Sequence, residues 1–304
     1  MADDKQARTS TKYAAKKAAT ERIAAARAAQ AKAARRRNIM VAGGSALAVV
    51  LVIGLIVAFG LSTKKKITAN AVVSAPKSVT SAITAAATST LTGIPDISAI
   101  GGPPTILTGA PLTNAAGLPQ VLYVGAEYCP NCAATRWPLA IALSRFGAFS
   151  NLKTTYSSTS DADPSTPTLS FRGSSYTSQY INFDGKEQVD GANKPLDTLS
   201  ATESSLFQNL GGTKSDPNPG YPFIDFGGIW KQNGTSIDPA LLKGMTPESV
   251  AASLANDTAK PGSTIKASTD VFTAIICRMD GGKPANVCTA TAVVAATAAL
   301  AGAK

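Results

Sequence analysis

The stretch that decides the fold is Val121-Leu122-Tyr123-Val124-Gly125-Ala126-Glu127-Tyr128-Cys129-Pro130-Asn131-Cys132. Its first six residues are almost continuously apolar, which is typical of a central strand covered on both faces. Residues 133–146 follow with apolar side chains at helical spacing. The segment therefore predicts a buried strand that leads into a helix, with a Cys-x-x-Cys pair at the junction.

The position of this pair matters because a helix N-terminus presents free N–H groups and the positive end of a dipole. Both stabilise a thiolate. Pro130 suits the first helical turn, and Cys132 is placed to close a small disulfide ring onto Cys129. The chain contains no histidine, so a zinc site is disfavoured. Two interpretations stay open, a redox-active pair and an inert bridge, and the spacing favours the redox-active pair.

The remaining patterns predict a mixed α/β domain. Residues 157–220 are crowded with Ser, Thr, Asp, Pro and Gly, and we interpret them as an insertion that holds short strands around 176–183. We predict further strands at 105–113, 119–126, 152–156 and 221–226, and helices at 198–210, 247–256, 268–277 and 289–300.

Four segments together carry a family resemblance: GAEYCPNCAATRW at 125–137, LSRFGAFSNL, TPTLSFRGSSYTSQYI and YPFIDFGG. The first resembles the active-site segment of thioredoxin-like proteins, in which a cis-proline faces the cysteines. That resemblance implies such a role for Pro222. Taken together, the segments look like a family of uncharacterised, membrane-anchored prokaryotic proteins. The resemblance implies a thioredoxin-like α/β domain over residues 95–304, with its insertion at 157–220.

The same resemblance implies chemistry without a cofactor or a metal. Cys129 would attack the disulfide of a protein substrate or be attacked by a substrate thiolate, and Cys132 would resolve the mixed disulfide. The substrate groove would be formed by Pro130, Asn131, Tyr221 and Pro222.

One departure from the thioredoxin-like pattern concerns proton transfer. Many thioredoxins have a buried aspartate six residues before the first cysteine, and this chain has Tyr123 there. Glu127, next to the motif, is a candidate proton shuttle. Its alternative interpretation is a side chain that points to solvent.

Cys277 and Cys288 enclose a turn-rich loop between two predicted helices. A structural disulfide would staple this loop, stabilising the fold by roughly 2–3 kcal/mol. The alternative is a second redox pair, but no aromatic residue or helix start supports it. We therefore favour the structural disulfide.

Charge is distributed unevenly. The formal net charge is +10, but residues 1–38 hold a net +8, residues 64–66 add three lysines, and residues 67–304 sum to −1. A near-neutral body with a basic arm argues against nucleic acid as a partner. Residues 39–61 contain no charge, and at roughly 1.5 Å per residue they are long enough to span a bilayer. We predict one uncleaved transmembrane helix, a signal-anchor, because the leader is too long for a cleaved signal peptide.

The positive-inside rule sets the orientation. The arm at 1–38 is expected to be cytoplasmic, residues 62–94 a partly helical tether, and the domain at 95–304 extracytoplasmic. The expected location is the cell membrane, with a single pass and with the lipid bilayer and a membrane redox partner as contacts. We thus predict an extracytoplasmic thiol–disulfide oxidoreductase that oxidises or isomerises secreted proteins. The alternative is a non-catalytic interaction module of the cell envelope with structural disulfides.

Overall fold

The computed structural model describes residues 71–89, 103–213 and 216–302. The predicted arm at 1–38 and the predicted span at 39–61 lie outside these residues. Among the residues that are described, no helix is both long enough and apolar enough to cross a bilayer.

The domain is a mixed α/β structure, and its elements are named here in chain order. The strands are β1 (Val73–Ser74), β2 (Thr105–Ile106), β3 (Gln120–Gly125), β4 (Gly147–Ser150), β5 (Lys153–Tyr156), β6 (Pro167–Ser170), β7 (Ser175–Ser178), β8 (Asn182–Glu187), β9 (Phe223–Phe226) and β10 (Trp230–Asn233). The helices are α1 (Lys77–Thr88), α2 (Pro130–Ser144), α3 (Ala201–Leu210), α4 (Pro247–Ser253), α5 (Gly262–Met279), α6 (Ala285–Cys288) and α7 (Thr291–Gly302), with a 3₁₀ turn at Pro239–Leu242.

The central sheet has five strands in the order β2-β10-β9-β3-β8. Strand β3 pairs in parallel with β8 and antiparallel with β9. Its alternate residues reach two separate apolar clusters. Val121 and Tyr123 lie in the cluster that contains Trp137 of α2, whereas Leu122 and Val124 pack with Phe207 of α3. Helices therefore cover β3 on both faces, which explains its nearly unbroken apolar sequence.

The segment predicted as an insertion contains strand β8, which belongs to the central sheet. Residues 157–220 contribute β8 to the central sheet, paired along its whole length with the strand that leads to the cysteines. The same segment also contributes β6, β7 and α3. The sequence gives no apolar signal for β8, because β8 is an edge strand. Its residues are only partly buried, except for the buried Glu187.

The segment predicted as part of a tether packs against the domain. Helix α1 contacts both α2 and α4, and β1 pairs antiparallel with β5. Val79, Ile83 and Ala86 of α1 are buried in the main core. These residues recur at i, i+4 and i+7, the spacing of one helical face.

Two predicted elements have different bounds in the structure. The strand predicted at 105–113 is limited to Thr105–Ile106, because Gly109 and Pro111 interrupt the run and proline has no N–H to donate. The helix predicted at 268–277 begins earlier, at Gly262. Gly262 permits a close approach that a side chain would block, since an added Cβ would overlap the carbonyl oxygen of Ser253.

Replacement of Ile83 by alanine tests whether α1 is part of the folded domain. Ile83 is 3% exposed, and truncation of a buried isoleucine typically costs about 2–5 kcal/mol. We therefore expect Ile83→Ala to lower the free energy of unfolding by about that amount in denaturant titrations of the full chain in mild detergent. The neighbouring Thr84→Ala, at an exposed position, is the matched control and is expected to stay within about 0.5 kcal/mol of the parent. Equal stability of both variants would mean that α1 does not contribute to the core.

Candidate functional site

The cysteine pair lies where β3 meets α2. Cys129 is the N-cap residue of α2 and Pro130 is its first residue. The Sγ of Cys129 accepts a hydrogen bond from the backbone N–H of Cys132 at 3.2 Å, so the thiol takes the place of a conventional capping oxygen. Both cysteines are free thiols. Cys129 is 6% exposed and Cys132 is fully buried, which leaves Cys129 as the sulfur that a substrate can reach.

The two thiols differ in acidity. A hydrogen bond from the Cys132 thiol lowers the pKa of Cys129, and the backbone N–H of Cys132 and the charge of Arg136 lower it further against the opposing effect of burial. Burial raises the pKa of Cys132 well above its usual value, and the neighbouring Cys129 adds to the rise. Cys129 therefore becomes a thiolate at lower pH than Cys132 does.

Tyr221, which precedes Pro222, lies beside Cys129. The peptide bond between Tyr221 and Pro222 is cis, and the Cys129 thiol donates to the Tyr221 carbonyl oxygen at 3.7 Å. The Tyr221 ring stacks on Phe207 of α3, with centroids 5.4 Å apart. Helix α3 therefore positions the aromatic wall beside the reactive sulfur.

The other predicted groove residues are placed differently from one another. Asn131 is partly exposed at the start of α2, whereas Pro130 is buried beneath it. Tyr128 and Val189 also pack against the two cysteines. The backbone before Cys129 is also anchored by residue 158: the Ser158 N–H donates a hydrogen bond to the Tyr128 carbonyl oxygen at 2.8 Å.

Glu127 does not point to solvent. It is 2% exposed, and its Oε1 accepts a hydrogen bond from the Ser170 hydroxyl. Its other oxygen, Oε2, lies 3.9 Å from a guanidinium nitrogen of Arg136 and has no hydrogen-bond partner. The solvent interpretation of Glu127 is therefore wrong, and the carboxylate belongs to a buried charged cluster.

Arg136 is the centre of that cluster. It lies one helical turn beyond Cys132 and is fully buried. Its Nε and one terminal nitrogen donate to the two carboxylate oxygens of Glu187, at 2.8 and 2.6 Å. The same terminal nitrogen donates to the Ala126 carbonyl at 2.9 Å. The bidentate geometry gives strong, charge-assisted hydrogen bonds.

Glu187, the last residue of β8, is fully buried as well. Burial raises its pKa to about 7, against the lowering effect of Arg136, and the nearby carboxylates of Glu127 and Asp197 raise it further. The backbone N–H of Glu187 donates to Asp197 at 2.8 Å. A carboxyl group that titrates near neutral pH thus lies in the same buried region as Cys132.

The sequence analysis missed Arg136 and Glu187. For Arg136 a signal exists, because it is the single charge within the otherwise uncharged run 133–143, four residues after Cys132. Glu187 has no comparable signal, since its partner is 51 residues away. Its strand also lies within the segment interpreted as an insertion.

The second pair of cysteines forms a disulfide. Cys277, near the end of α5, is bonded to Cys288, the last residue of α6. The bond joins these helices across the turn at residues 280–284. It connects structural elements and belongs to the apolar core rather than to the Cys129 cluster.

These features define a class: a mixed α/β protein with a free thiol pair between a buried strand and a helix. The chain belongs to the family described as a domain of unknown function (DUF929), whose sequence profile matches residues 110–278. The match covers more than half of the chain and includes β3, the cysteine pair, the Arg136–Glu187 pair and most of α5. No curated protein and no solved structure matches the chain.

Replacement of Arg136 tests the energetic role of the buried cluster. Arg136→Met leaves Glu127 and Glu187 buried without a cation, and the loss of one partner of a buried ion pair typically costs about 3–5 kcal/mol. We expect a decrease of that size in the free energy of unfolding, measured by denaturant titration in mild detergent at pH 8. Arg172→Met, at an exposed position, is the control and should change stability by about 0.5 kcal/mol or less. A parent-like stability for Arg136→Met would refute the role of the cation.

Proposed function

We propose that this protein is a membrane-anchored, extracytoplasmic thiol–disulfide oxidoreductase that works through Cys129 and Cys132. The observation that carries the proposal is the difference between the two thiols. The pKa of Cys129 is lowered at the helix N-terminus, and that of the buried Cys132 is raised. One sulfur that ionises readily and one that is shielded are suited to attack and resolution, in that order.

We also assign the domain to the thioredoxin-like fold. The arrangement of the central sheet supports this assignment, because the strand before the cysteines has a parallel neighbour on one side and an antiparallel neighbour on the other. The antiparallel neighbour, β9, begins directly after the cis-bonded Pro222, and the carbonyl oxygen of the preceding Tyr221 accepts a hydrogen bond from the Cys129 thiol. Helix α5 packs against α2 on one face of the sheet.

In the oxidising direction, the pair starts as a disulfide. A substrate thiolate attacks the Cys129 sulfur, the Cys129–Cys132 bond breaks, and Cys132 leaves as a thiolate that takes up a proton. A second substrate thiolate then attacks the substrate sulfur of the mixed disulfide and releases the Cys129 thiolate. Two electrons pass from the substrate to the protein pair. The two substrate thiols lose their protons to solvent when they ionise, Cys132 takes up one proton, and Cys129 is released as a thiolate. An oxidising membrane partner or a small disulfide closes the cycle.

The surroundings of Cys129 suit an extended polypeptide substrate. The Tyr221 carbonyl is a backbone acceptor within reach of the sulfur, and Tyr128, Val189 and the Tyr221 ring supply apolar contact. A substrate strand can therefore combine backbone hydrogen bonds with side-chain contacts, as in other cases of strand addition.

The charge distribution supports the proposed location. The basic arm at 1–38 and the uncharged stretch at 39–61 together fit a single-pass anchor with a cytoplasmic N-terminus. A domain outside the cytoplasm is in a compartment where disulfides persist. Oxidation or isomerisation of secreted proteins is therefore the proposed direction of the reaction.

Alkylation and trapping test the redox role. After mild reduction, we expect iodoacetamide to modify Cys129 at least about tenfold faster than Cys132 at pH 7, because the pKa of Cys129 is lowered, that of Cys132 is raised, and Cys132 is fully buried. Mass spectrometry of the full chain measures both rates. We also expect Cys132→Ser to accumulate a mixed disulfide with a thiol-containing protein substrate, since the resolving sulfur is gone.

Cys129→Ser is the control for the trap and should capture no substrate. If Cys129 resists alkylation after reduction and Cys132→Ser traps nothing, both cysteine pairs are structural. The protein would then be the non-catalytic interaction module.

Labelling of introduced cysteines tests the topology. Gln208, exposed on α3, is replaced by cysteine in a background that lacks Cys129 and Cys132. We expect a membrane-impermeant maleimide to label Gln208→Cys from outside intact cells. The matched variant Ala14→Cys, in the basic arm, should react only after lysis. The opposite pattern would reverse the proposed orientation.

A further inference from the structure

The face of β3 under α2 carries an unusual pair of residues. Tyr123 is fully buried, and its hydroxyl has no hydrogen-bond partner. Gly125 lies two residues further along, on the same face of the strand. A Cβ added to Gly125 would overlap the Tyr123 hydroxyl, so the hydroxyl occupies the space that a side chain at position 125 would fill.

The register of the sheet relates this space to the buried cluster. Gly125 is directly opposite Glu187 in the parallel pair of β3 and β8. Partners in such a pair present their side chains on the same face. The Tyr123 hydroxyl therefore lies at the position next to Glu187, at the end of the sheet where the cysteines begin.

Helix α2 packs over this face of β3. Its first turn contains Cys132, and Arg136 one turn later has its guanidinium carbon 5.8 Å from the centre of the Tyr123 ring. Burial raises the pKa of Tyr123 well above its usual value, Arg136 lowers it, and the negative charges of Cys132, Glu187 and Cys129 raise it further. A buried hydroxyl without a hydrogen-bond partner is destabilising, so stability does not explain a hydroxyl at this position.

We propose that the Tyr123 hydroxyl and the Glu187 carboxylate form a buried proton path for the Cys132 thiol. The inference rests on the proposed function, since it concerns the step in which Cys132 closes onto Cys129, either when a disulfide reoxidises the pair or when a mixed disulfide is resolved during isomerisation. Hydrogen bonds along such a path often tighten only in the reacting complex, which is consistent with a hydroxyl that has no partner in the free protein.

Closure of the pair forms one S–S bond and moves one proton away from Cys132. Cys132 gives its thiol proton to the Tyr123 oxygen, and the original Tyr123 proton passes to the Glu187 carboxylate. The Cys132 sulfur bonds to the Cys129 sulfur, and the substrate leaves as a thiolate with the electron pair of the broken bond. Tyr123 ends unchanged, and the net transfer is one proton from Cys132 to Glu187.

Several groups set the acidity of Glu187. Arg136 of α2 faces it directly. Glu127, in the loop after β3, and Asp197, in the loop after β8, add negative charge. With these neighbours, the pKa of Glu187 is raised to about 7 by burial, close to the pH at which a proton acceptor serves a buried thiol well.

The test follows thiol release in two phases. The reduced full chain in mild detergent reacts with an excess of an aromatic disulfide that releases a coloured thiolate. Attack by Cys129 releases the first thiolate, and closure by Cys132 releases the second. We expect Tyr123→Phe to slow the second phase at pH 7 by about tenfold or more, with the first phase unchanged, because general acid–base catalysis typically contributes at least this much.

The pH profile provides a readout that a structural role would not move. In the parent, the second phase should level off above about pH 7, where Glu187 is ionised. In Tyr123→Phe and in Glu187→Gln, the rate of the second phase should continue to increase with pH, up to the raised pKa of the Cys132 thiol. Because the Tyr123 hydroxyl has no hydrogen-bond partner, Tyr123→Phe should be at least as stable as the parent in denaturant titrations.

Asp225→Asn is the matched control. Asp225 is another fully buried carboxyl, its pKa is raised to about 6 by burial, and its Oδ1 accepts from the Gly228 N–H rather than facing the cysteines. The second phase of Asp225→Asn should have the same rate as that of the parent. A second phase in Tyr123→Phe within twofold of the parent from pH 5 to 9 would overturn the proton path alone. Absence of the first phase in the parent would overturn both the path and the proposed function.

Discussion

The Arg136 guanidinium brings a permanent positive charge into a part of the domain that water does not reach. An unpaired ion at such a depth costs several kcal/mol, so the elements around it have to supply acceptors. Glu187 comes from β8, the Ala126 carbonyl from the loop before the cysteines, and the Thr168 hydroxyl contact at 3.4 Å from β6. This one side chain thereby fixes α2 against two strands and the loop before the cysteines. The position of Cys132, on the same helix, is fixed with them.

This constraint explains how two cysteines three residues apart acquire different chemistry. Cys129 lies outside the first turn, where the N–H of Cys132 and the positive helix end stabilise its thiolate. Cys132 lies inside that turn, facing the core. Arg136 lowers the pKa of both thiols, but burial outweighs it at Cys132. The two thiols therefore differ in acidity because one lies at the helix N-terminus and the other is buried in the first turn. No histidine side chain is needed to produce this difference.

Local patterns predicted the elements that depend on local physics. The apolar run of β3, the helix start at Pro130 and the strand after Pro222 all carry their signals within a few residues. The patterns did not predict partners across the fold. Val79, Ile83 and Ala86 have the spacing of a buried face, but the Ser- and Thr-rich composition of their surroundings favoured a tether. Glu187 could not be paired with Arg136, because nothing in one sequence shows that strand β8 lies beside β3.

The same limitation bears on proton transfer. Tyr123 stands where a thioredoxin-like protein often has an acid, so the sequence suggests that the acid is lost. In the structure the strand opposite supplies a carboxylate at the neighbouring position, Glu187, and Gly125 leaves room between them for the Tyr123 hydroxyl. At the carboxyl end of a parallel pair of strands, a charged group can occupy the same position in the fold whichever of the two strands carries it. Comparison of aligned positions along β3 alone would therefore miss a proton acceptor that β8 provides.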